Sequence, residues 1–278
     1  MNDLTIATWN LETDKPFSNR ADAFRVAMEV IKADVWVITE ALLSFSPGTD
    51  YRLVAYSDHA ADIERYTDPR WMADRRWVAI WSKLPARKIE VLNEPDRMAC
   101  IRLERPGTKD VVIVGTVLPW PGDSKWPGKN GIGFCNAIEH QAAEWKQLWG
   151  NPRTAGICVA GDFNQSLPYT PHYGPQSSEK ALRNVLKSLE LLCVSGDEMD
   201  PLPKAEPGRP SIDHICVGGG LQPILTPPSR TWNRPFKPNS TTLVTDHFGV
   251  SAKLELSDTF DGGAVSNSLP RISDGDSR

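Results

Sequence analysis

Residues 157–164 read ICVAGDFN, and this stretch decides the fold. Its first five residues are apolar or small, which is typical of a buried β-strand, and the strand ends where the polar Asp162 and Asn164 begin. A carboxylate or amide that follows a buried strand is costly to desolvate unless it meets a metal, a cation or another polar group. The stretch therefore predicts an interior strand that presents two polar side chains to a functional site.

Four other segments end in the same way, with polar residues directly after an apolar run. They end at Asn10, at Glu40, at Asp213 with His214, and at Asp246 with His247. Asp and Asn also favour turns because their side chains bond to the local backbone, and that explanation suffices for any single one of them. Recurrence at five strand ends instead favours convergence of these residues on one site.

The segments between these ends alternate between short strands and amphipathic helices. Apolar spacing predicts three helices, over residues 19–33, 136–149 and 178–191, the first of them capped by Ser18. The middle strands are closely spaced with turns between them, which favours an antiparallel sheet. Strands are predicted at LTIATW (4–9), VWVIT (35–39), YRLVAY (51–56), WVAIW (77–81), KIEVL (88–92), ACIRLE (99–104), VVIVGTVL (111–118), SIDHICV (211–217) and in TDHFGVSAKLEL (245–256).

Composition places the 278 residues in the ordinary globular range, with 40% hydrophobic and 24% charged residues. The length fits one domain over residues 1–256, and the polar, aperiodic residues 257–278 predict a flexible tail. No apolar run reaches the roughly 18 residues of a membrane span, and the N-terminus lacks the pattern of a signal peptide, so we expect a cytoplasmic protein.

Cysteine spacing argues against a zinc site, and the net charge weakens the case for a nucleic-acid partner without excluding it. The five cysteines lack the paired spacing of a zinc site and predict buried thiols. The formal net charge of −4 gives no bulk attraction to polyanions, so a phosphate-bearing partner must be recognised by a metal or a local basic patch. No obligate protein partner is evident.

Seven short motifs occur in an order that resembles the endonuclease/exonuclease/phosphatase superfamily. This superfamily includes pancreatic deoxyribonuclease, apurinic-site endonucleases, neutral sphingomyelinases and inositol polyphosphate 5-phosphatases. The resemblance implies a four-layer α/β sandwich, in which two mixed, largely antiparallel sheets pack face to face with helices outside. The motifs are TWN (8–10), ITE (38–40), WVAIWSKLP (77–85), GTVLP (115–119), GDFN (161–164), SIDHI (211–215) and TDH (245–247).

The resemblance also implies a role for each polar residue at the strand ends. Metal ligation falls to Asn10, Glu40 and Asp246, whereas catalysis and phosphate contact fall to Asp162, Asn164, Asp213 and His247. Mg²⁺ suits this oxygen-rich set, with Mn²⁺ as an alternative. The implied activity is a Mg²⁺-dependent phosphodiesterase, most simply a nuclease that cleaves DNA or RNA by in-line water attack. The alternatives are a phosphomonoesterase or a lipid or inositol phosphate hydrolase at the same site, and a non-catalytic binding module.

One position departs from the family pattern. Many members have a histidine where this chain has Val117, so the group that protonates the leaving oxygen in those relatives is absent. His172, in the loop after GDFN, is the candidate substitute, although a loop histidine is more often simply exposed to solvent. His214 alternates with Asp213 along its strand and is predicted to be a structural histidine.

A basic segment supplies candidate substrate contacts. Residues 65–88 contain seven Arg or Lys against two Asp, together with three Trp. Arg75 and Arg76, with Trp71 as a stacking partner, are predicted to line a groove for a phosphate backbone. A solvated rim with ordinary strand packing explains the same residues equally well. The predicted partner is therefore a phosphate ester, with nucleic acid favoured.

Overall fold

A computed structural model describes residues 3–13, 20–58, 73–105, 109–167, 173–206, 208–224, 229–232 and 244–257. Two sheets face each other across the middle of the protein, because strands with apolar residues at alternate positions bury one face each. The first sheet contains β1 (Asp3–Asn10), β2 (Val35–Leu42), β3 (Arg52–Tyr56), β4 (Arg75–Ser82), β11 (Leu221–Pro223), β12 (Ser229–Trp232) and β13 (Gly249–Leu256). The second contains β5 (Ala86–Ile89), β6 (Met98–Leu103), β7 (Asp110–Val117), β8 (Thr154–Asp162), β9 (Leu192–Cys193) and β10 (Asp213–Gly219).

Both sheets are mixed. The first has the order β11-β13-β1-β2-β4-β3, with β12 also paired to β13, and the second has the order β5-β6-β7-β8-β10-β9. β1 runs parallel to β2 and β7 runs parallel to β8, whereas the other pairs are antiparallel. Because the two strands of each parallel pair run in the same direction, β1 and β2 end at the same edge of the first sheet, and β7 and β8 end at the same edge of the second. The expectation of largely antiparallel sheets is confirmed.

The core lies between the sheets. Residues such as Ile6, Val37 and Ile80 from the first sheet pack against Ile113 and Ile215 from the second, and all five are buried. At Gly115 the backbone of β7 approaches the facing sheet closely, since a Cβ there would lie 2.5 Å from Cγ1 of Val78 and 3.0 Å from Cγ1 of Val37. Glycine at this position therefore sets the spacing of the two layers.

Helices cover the outer faces, which completes the four predicted layers. The helix α1 (Ala21–Ile31) packs Phe24 and Met28 against the first sheet. The helices α2 (Ile132–Trp149) and α3 (Gln176–Ser188) pack Ile138, Trp145 and Leu182 against the second. A single-turn helix, α4 (Leu202–Ala205), follows a 3₁₀ turn at Asp197–Met199. None of the described helices is long and apolar enough to cross a membrane.

The three predicted helices are all present, but their first and last residues differ from the prediction. The first ends at Ile31 because Lys32 is left-handed, with φ of 55°, and Ser18 lies outside the described residues. The second begins at Ile132, one turn before the predicted residue 136, because the left-handed Gly131 starts it. The third ends at Ser188, before the predicted residue 191. The predicted tail lies outside the described residues from residue 258 onward.

Substituting Gly115 tests how tightly the two sheets pack. We expect Gly115→Ala to lower the free energy of unfolding by about 1–3 kcal/mol, because the added methyl group overlaps Val78. Urea unfolding followed by circular dichroism measures the change. Gly48→Ala is the control, since its Cβ would make an ordinary 3.5 Å contact with Tyr51. Equal stability of the two variants would contradict close packing at Gly115.

Candidate active site

The polar residues of five segments meet at one edge of the two sheets. β1 and β2 are parallel, so Asn10 and Glu40 emerge together from the first sheet. In the second sheet, Asp162 at the end of β8 pairs in register with Asp213 at the start of β10. Asn10 and Asp162 end their strands and Asp213 begins β10, as expected, whereas Glu40 lies within β2, which continues to Leu42 instead of ending at Glu40.

The side-chain amide of Asn10 joins the two sheets. Its Nδ2 donates to Oε1 of Glu40 at 3.1 Å and to Oδ2 of Asp162 at 3.0 Å. Its Oδ1 accepts the backbone N–H of Glu12 at 2.8 Å, which fixes the orientation of the amide. Asn10 and Asp162 are both buried. One amide thus holds two carboxylates, one from each sheet, in a fixed arrangement.

Backbone strain is concentrated at this edge. Glu12, Glu40 and Asn164 have φ values of 48°, 45° and 47°, in the left-handed region that side-chain-bearing residues rarely adopt. The ladder between β2 and β4 skips Glu40, while its neighbours remain paired. Strain of this kind persists only where surrounding contacts enforce it, and it clusters at functional sites.

His247 forms an ion pair with a buried carboxylate. Its Nδ1 lies 2.8 Å from Oδ2 of Asp213, and its Nε2 lies 4.0 Å from Oδ2 of Asp162 and 3.8 Å from Oδ1 of Asp246. Burial lowers the pKa of His247, but the charges of Asp213 and Asp162 and the bond to Asp213 raise it well above its ordinary value. The imidazole is therefore a cation whose Nε2 faces the other carboxylates.

Asp162 is the most central carboxylate of the cluster. Burial raises the pKa of Asp162 to about 7, although the charge of His247 and the hydrogen bonds from Asn164 and Asn10 oppose this shift. The backbone N–H of Asn164 donates to Oδ1 at 2.9 Å, and the Asn164 amide nitrogen donates to the carbonyl of Leu118 at 3.0 Å. Asp162 thus accepts one hydrogen bond on each oxygen, from Asn10 and from the Asn164 backbone.

The donor set fits a hard divalent cation. Carboxylate oxygens of Asp162 and Asp213 lie within 4.8 Å of each other, and the cationic His247 beside them has no lone pair to offer a metal. Oδ1 of Asp213 is buried and has no hydrogen-bond partner among the described residues, so it has an unused acceptor. Glu40 adds a carboxylate next to Asp162, through Asn10. Oxygen ligands of this kind are those that Mg²⁺ and Mn²⁺ take in proteins.

Asp246 lies at the solvent side of the same cluster. Its side chain is 63% exposed, and its backbone N–H donates to Oε2 of Glu12 at 3.3 Å. Arg20 approaches the same Glu12 oxygen at 3.7 Å. Asp246 therefore lies close to His247. Its backbone also connects Glu12, two residues after Asn10, to the segment that contains Asp246 and His247.

The sequence profile of the Endonuclease/Exonuclease/phosphatase family matches residues 7–247. The chain belongs to this family. No curated protein gives a significant match.

Solved structures confirm the family fold. AP endonuclease LMAP from Leishmania major is 14% identical, with 92% of this chain and 89% of that chain covered and a TM-score of 0.60. A family protein from Bacteroides vulgatus is 14% identical, with 92% and 100% covered and a TM-score of 0.59. TDP2 from D. rerio, complexed with single strand DNA product, is 13% identical, with 91% and 99% covered and a TM-score of 0.55.

The two arginines predicted to bind substrate have different surroundings. Arg75 donates from Nη2 to Oε2 of Glu40 at 3.0 Å, and both side chains are mostly buried. Arg76 donates to the carbonyls of Ala73 and Arg75, and its guanidinium lies 5.4 Å from the ring centre of Tyr56. Consecutive residues of β4 face opposite sides of the sheet, so the Arg75 side chain reaches the cluster around Glu40 and the Arg76 side chain does not. The predicted partner Trp71 lies outside the described residues.

The predictions about Val117, His172 and His214 have different outcomes. Val117 is buried in the core between the sheets and carries no polar group to the site. His172 lies outside the described residues. His214 is buried, with Nε2 3.0 Å from the carbonyl of Gln165 and Nδ1 3.3 Å from Oγ of Ser195, which confirms it as a structural histidine.

Sequence reasoning missed Tyr173, the neighbour of His172. Tyr173 lines a cavity of about 400 Å³ together with Asp213, Asp246 and His247. Its backbone is fixed by Ser166, whose Oγ accepts the Tyr173 N–H at 2.9 Å and whose N–H donates to the Tyr173 carbonyl at 3.1 Å. Burial and the charges of Asp162 and Asp246 raise the pKa of Tyr173. Its only signal in the sequence was its position, nine residues after the GDFN motif.

The ion pair between Arg75 and Glu40 can be tested by its effect on stability. We expect Arg75→Ala to lower the free energy of unfolding by roughly 2 kcal/mol, because it leaves a partly buried carboxylate without its cation. Urea unfolding at pH 7 measures the change. Arg87→Ala, which removes an ion pair between two exposed side chains, Arg87 and Glu104, is the control and is expected to stay within about 0.5 kcal/mol of the wild type. Equal losses in both variants would contradict the assigned pairing.

Proposed function

We propose that this protein is a metal-dependent phosphoesterase that hydrolyses phosphodiester bonds, with a nucleic acid strand as its substrate. The observation that carries the proposal is the position of Asp162, held by the Asn10 amide on one side and 4.0 Å from the His247 imidazole on the other. A base, a cation and a second carboxylate are the groups that phosphate ester hydrolysis requires. These groups come from segments that are far apart in the sequence, and His247 lies in the loop before β13.

Asp162 is the proposed general base. It takes a proton from the attacking water while the water oxygen forms a bond to phosphorus and the bond to the leaving oxygen breaks. Its hydrogen bonds from Asn10 and from the Asn164 backbone keep the carboxylate in one orientation. Fixed orientation matters because an in-line attack tolerates little misplacement of the water.

His247 and Asn164 are the proposed phosphate contacts. Asp213 holds the imidazole through Nδ1, so that Nε2–H is directed at the phosphoryl oxygens. The Asn164 amide uses one hydrogen on the Leu118 carbonyl and keeps the second for the substrate. Donors that are already in place stabilise the developing negative charge without reorganisation.

Glu40, with Asn10 and Asp246 nearby, would hold the metal, Mg²⁺ or Mn²⁺. A metal held there would supply positive charge near the phosphoryl oxygens. The Arg75 guanidinium already occupies one Glu40 oxygen, so Arg75 serves to orient the carboxylate in this proposal.

Tyr173 is the proposed proton donor to the leaving oxygen, in place of the histidine that Val117 replaces. Its phenol lines the same cavity as His247 and Asp246. A tyrosine phenol is protonated at neutral pH and can donate its proton to a leaving oxygen. The nucleic acid substrate is supported by the neighbours of similar fold, an AP endonuclease and a TDP2 bound to a DNA product.

The activity can be tested with labelled single-stranded DNA, duplex DNA, RNA and a phosphomonoester panel, each with Mg²⁺, Mn²⁺ or EDTA. We expect strand cleavage that needs the metal, and a loss of about 10²- to 10⁴-fold in kcat/KM for Asp162→Asn and His247→Ala. Asp22→Asn, which changes an exposed carboxylate on α1, is the matched control and should be as active as the wild type.

The outcomes separate the candidate functions. Release of inorganic phosphate without strand cleavage would replace the nuclease with a phosphomonoesterase at the same site. Binding of the labelled strands without turnover in any metal would contradict the enzymatic proposal and favour a binding module.

The role of Tyr173 can be tested by varying the leaving group. We expect Tyr173→Phe to reduce hydrolysis of a methyl or nucleoside ester by about 10²-fold and to leave a p-nitrophenyl ester nearly unaffected, because nitrophenolate departs without a proton. Steady-state kinetics on the two ester series measure the difference. Equal losses for both esters would show that Tyr173 acts only in binding or packing.

A further inference from the structure

A second cavity, of about 410 Å³, lies on the Asn164 side of the site. We name it the Lys129 cavity. Asn164 forms part of its wall, so the cavity is continuous with the proposed phosphate contact. Its other walls come from the loop after β7 and from the starts of α2 and α3, and they include Trp120, Trp126, Lys129, Gly131 and Ser178.

The N-terminus of α2 gives this cavity a positive pole. α2 is 18 residues long, its first turn contains no acidic residue, and Gly131 provides no side-chain cap. The first N–H groups of a helix have no acceptor within the helix, and they carry partial positive charge that favours an anion. Gly131 and Gly133, at this end of α2, both line the cavity.

Two side chains at the same point indicate an anionic ligand independently of the helix. Lys129 is exposed and forms no ion pair with any carboxylate in the described part of the chain. The Ser178 side chain is completely buried, and its Oγ has no hydrogen-bond partner among the described residues. A Cβ on Gly131 would lie 2.4 Å from this Oγ, so glycine allows the hydroxyl to lie against the helix end. A buried donor with no acceptor is costly unless a ligand supplies one.

The walls of the Lys129 cavity are fixed. Nε1 of Trp126 donates to Oε1 of Glu94 at 2.6 Å. Trp120 lies against Arg97, whose guanidinium is 5.1 Å from the Trp120 ring centre and forms a buried ion pair with Asp123 at 3.1 Å. A cavity held in this way loses little conformational entropy when a ligand enters it.

We propose that the Lys129 cavity binds a second phosphate of the substrate, next to the phosphate that is hydrolysed. The helix end, the Lys129 ammonium and the Ser178 hydroxyl would receive it, and Trp120 would contact the attached planar or apolar group. The inference rests on the proposed function, because it assigns a neighbouring position on the same substrate. The second phosphate belongs either to the next nucleotide of a strand or to a polyphosphorylated small molecule.

Kinetics on paired substrates test this inference. The pairs are a thymidine dinucleotide and trinucleotide, with one and two phosphodiesters, and inositol monophosphate and bisphosphate. We expect Lys129→Ala and Ser178→Ala each to lower kcat/KM about fivefold for the substrate with the second phosphate, and to leave its one-phosphate counterpart unchanged. Lys146→Ala, at the other end of α2, is the matched control. The pair that responds identifies the source of the second phosphate.

A binding measurement covers the case in which no substrate is hydrolysed, which would contradict the proposed function. Fluorescence anisotropy of a labelled single-stranded oligonucleotide is recorded with Asp162→Asn at several salt concentrations. Lys129→Ala in this background should reduce the slope of log Kd against log salt by about 0.7, the value for one phosphate contact on a single strand.

Three results would overturn the second-phosphate site. One is a wild type that hydrolyses the one-phosphate and two-phosphate substrates equally well. Another is a loss that is the same for Lys129→Ala and for the Lys146→Ala control. The third is an unchanged salt slope in the binding measurement. The first two results would leave the phosphoesterase proposal intact. Failure of the second-phosphate site can therefore be distinguished from failure of the proposed function.

Discussion

The hydrogen bonds of the Asn10 amide are the constraint on which the rest of the site depends. Through one nitrogen, Asn10 holds Glu40 from the first sheet and Asp162 from the second. Its oxygen is fixed by the Glu12 backbone, so the amide cannot turn without breaking three bonds. The two sheets could slide relative to each other only by pulling these carboxylates apart. The left-handed Glu40 is held by the hydrogen bond from Asn10 and by the ion pair with Arg75.

Much of this arrangement could be predicted from the sequence. Apolar runs that end in polar residues placed Asn10, Glu40 and Asp162 at strand ends, because strand periodicity and burial are local properties of the chain. The motif order then indicated the family, and the two-sheet fold is confirmed. The same local reasoning separated His214 from Asp213, since neighbours on a strand face opposite sides.

The features that the sequence did not predict depend on contacts between distant segments. Arg75 pairs with Glu40 across 35 positions, so composition alone grouped it with Arg76 on a basic surface. The start of α2 at Ile132 follows from the conformation of Gly131, which the apolar spacing does not report. Tyr173 was overlooked because its importance comes from the cavity that it lines with His247.

A crystal soaked in Mn²⁺ and examined by anomalous diffraction tests the central claim most directly, that carboxylates of the two sheets form one metal-dependent centre. The account predicts an anomalous peak in the cluster, with a bond of about 2.0–2.3 Å to an oxygen of Glu40. It also predicts that the peak is lost in Glu40→Gln crystals. A peak elsewhere on the protein, or none at saturating Mn²⁺, would contradict the claim.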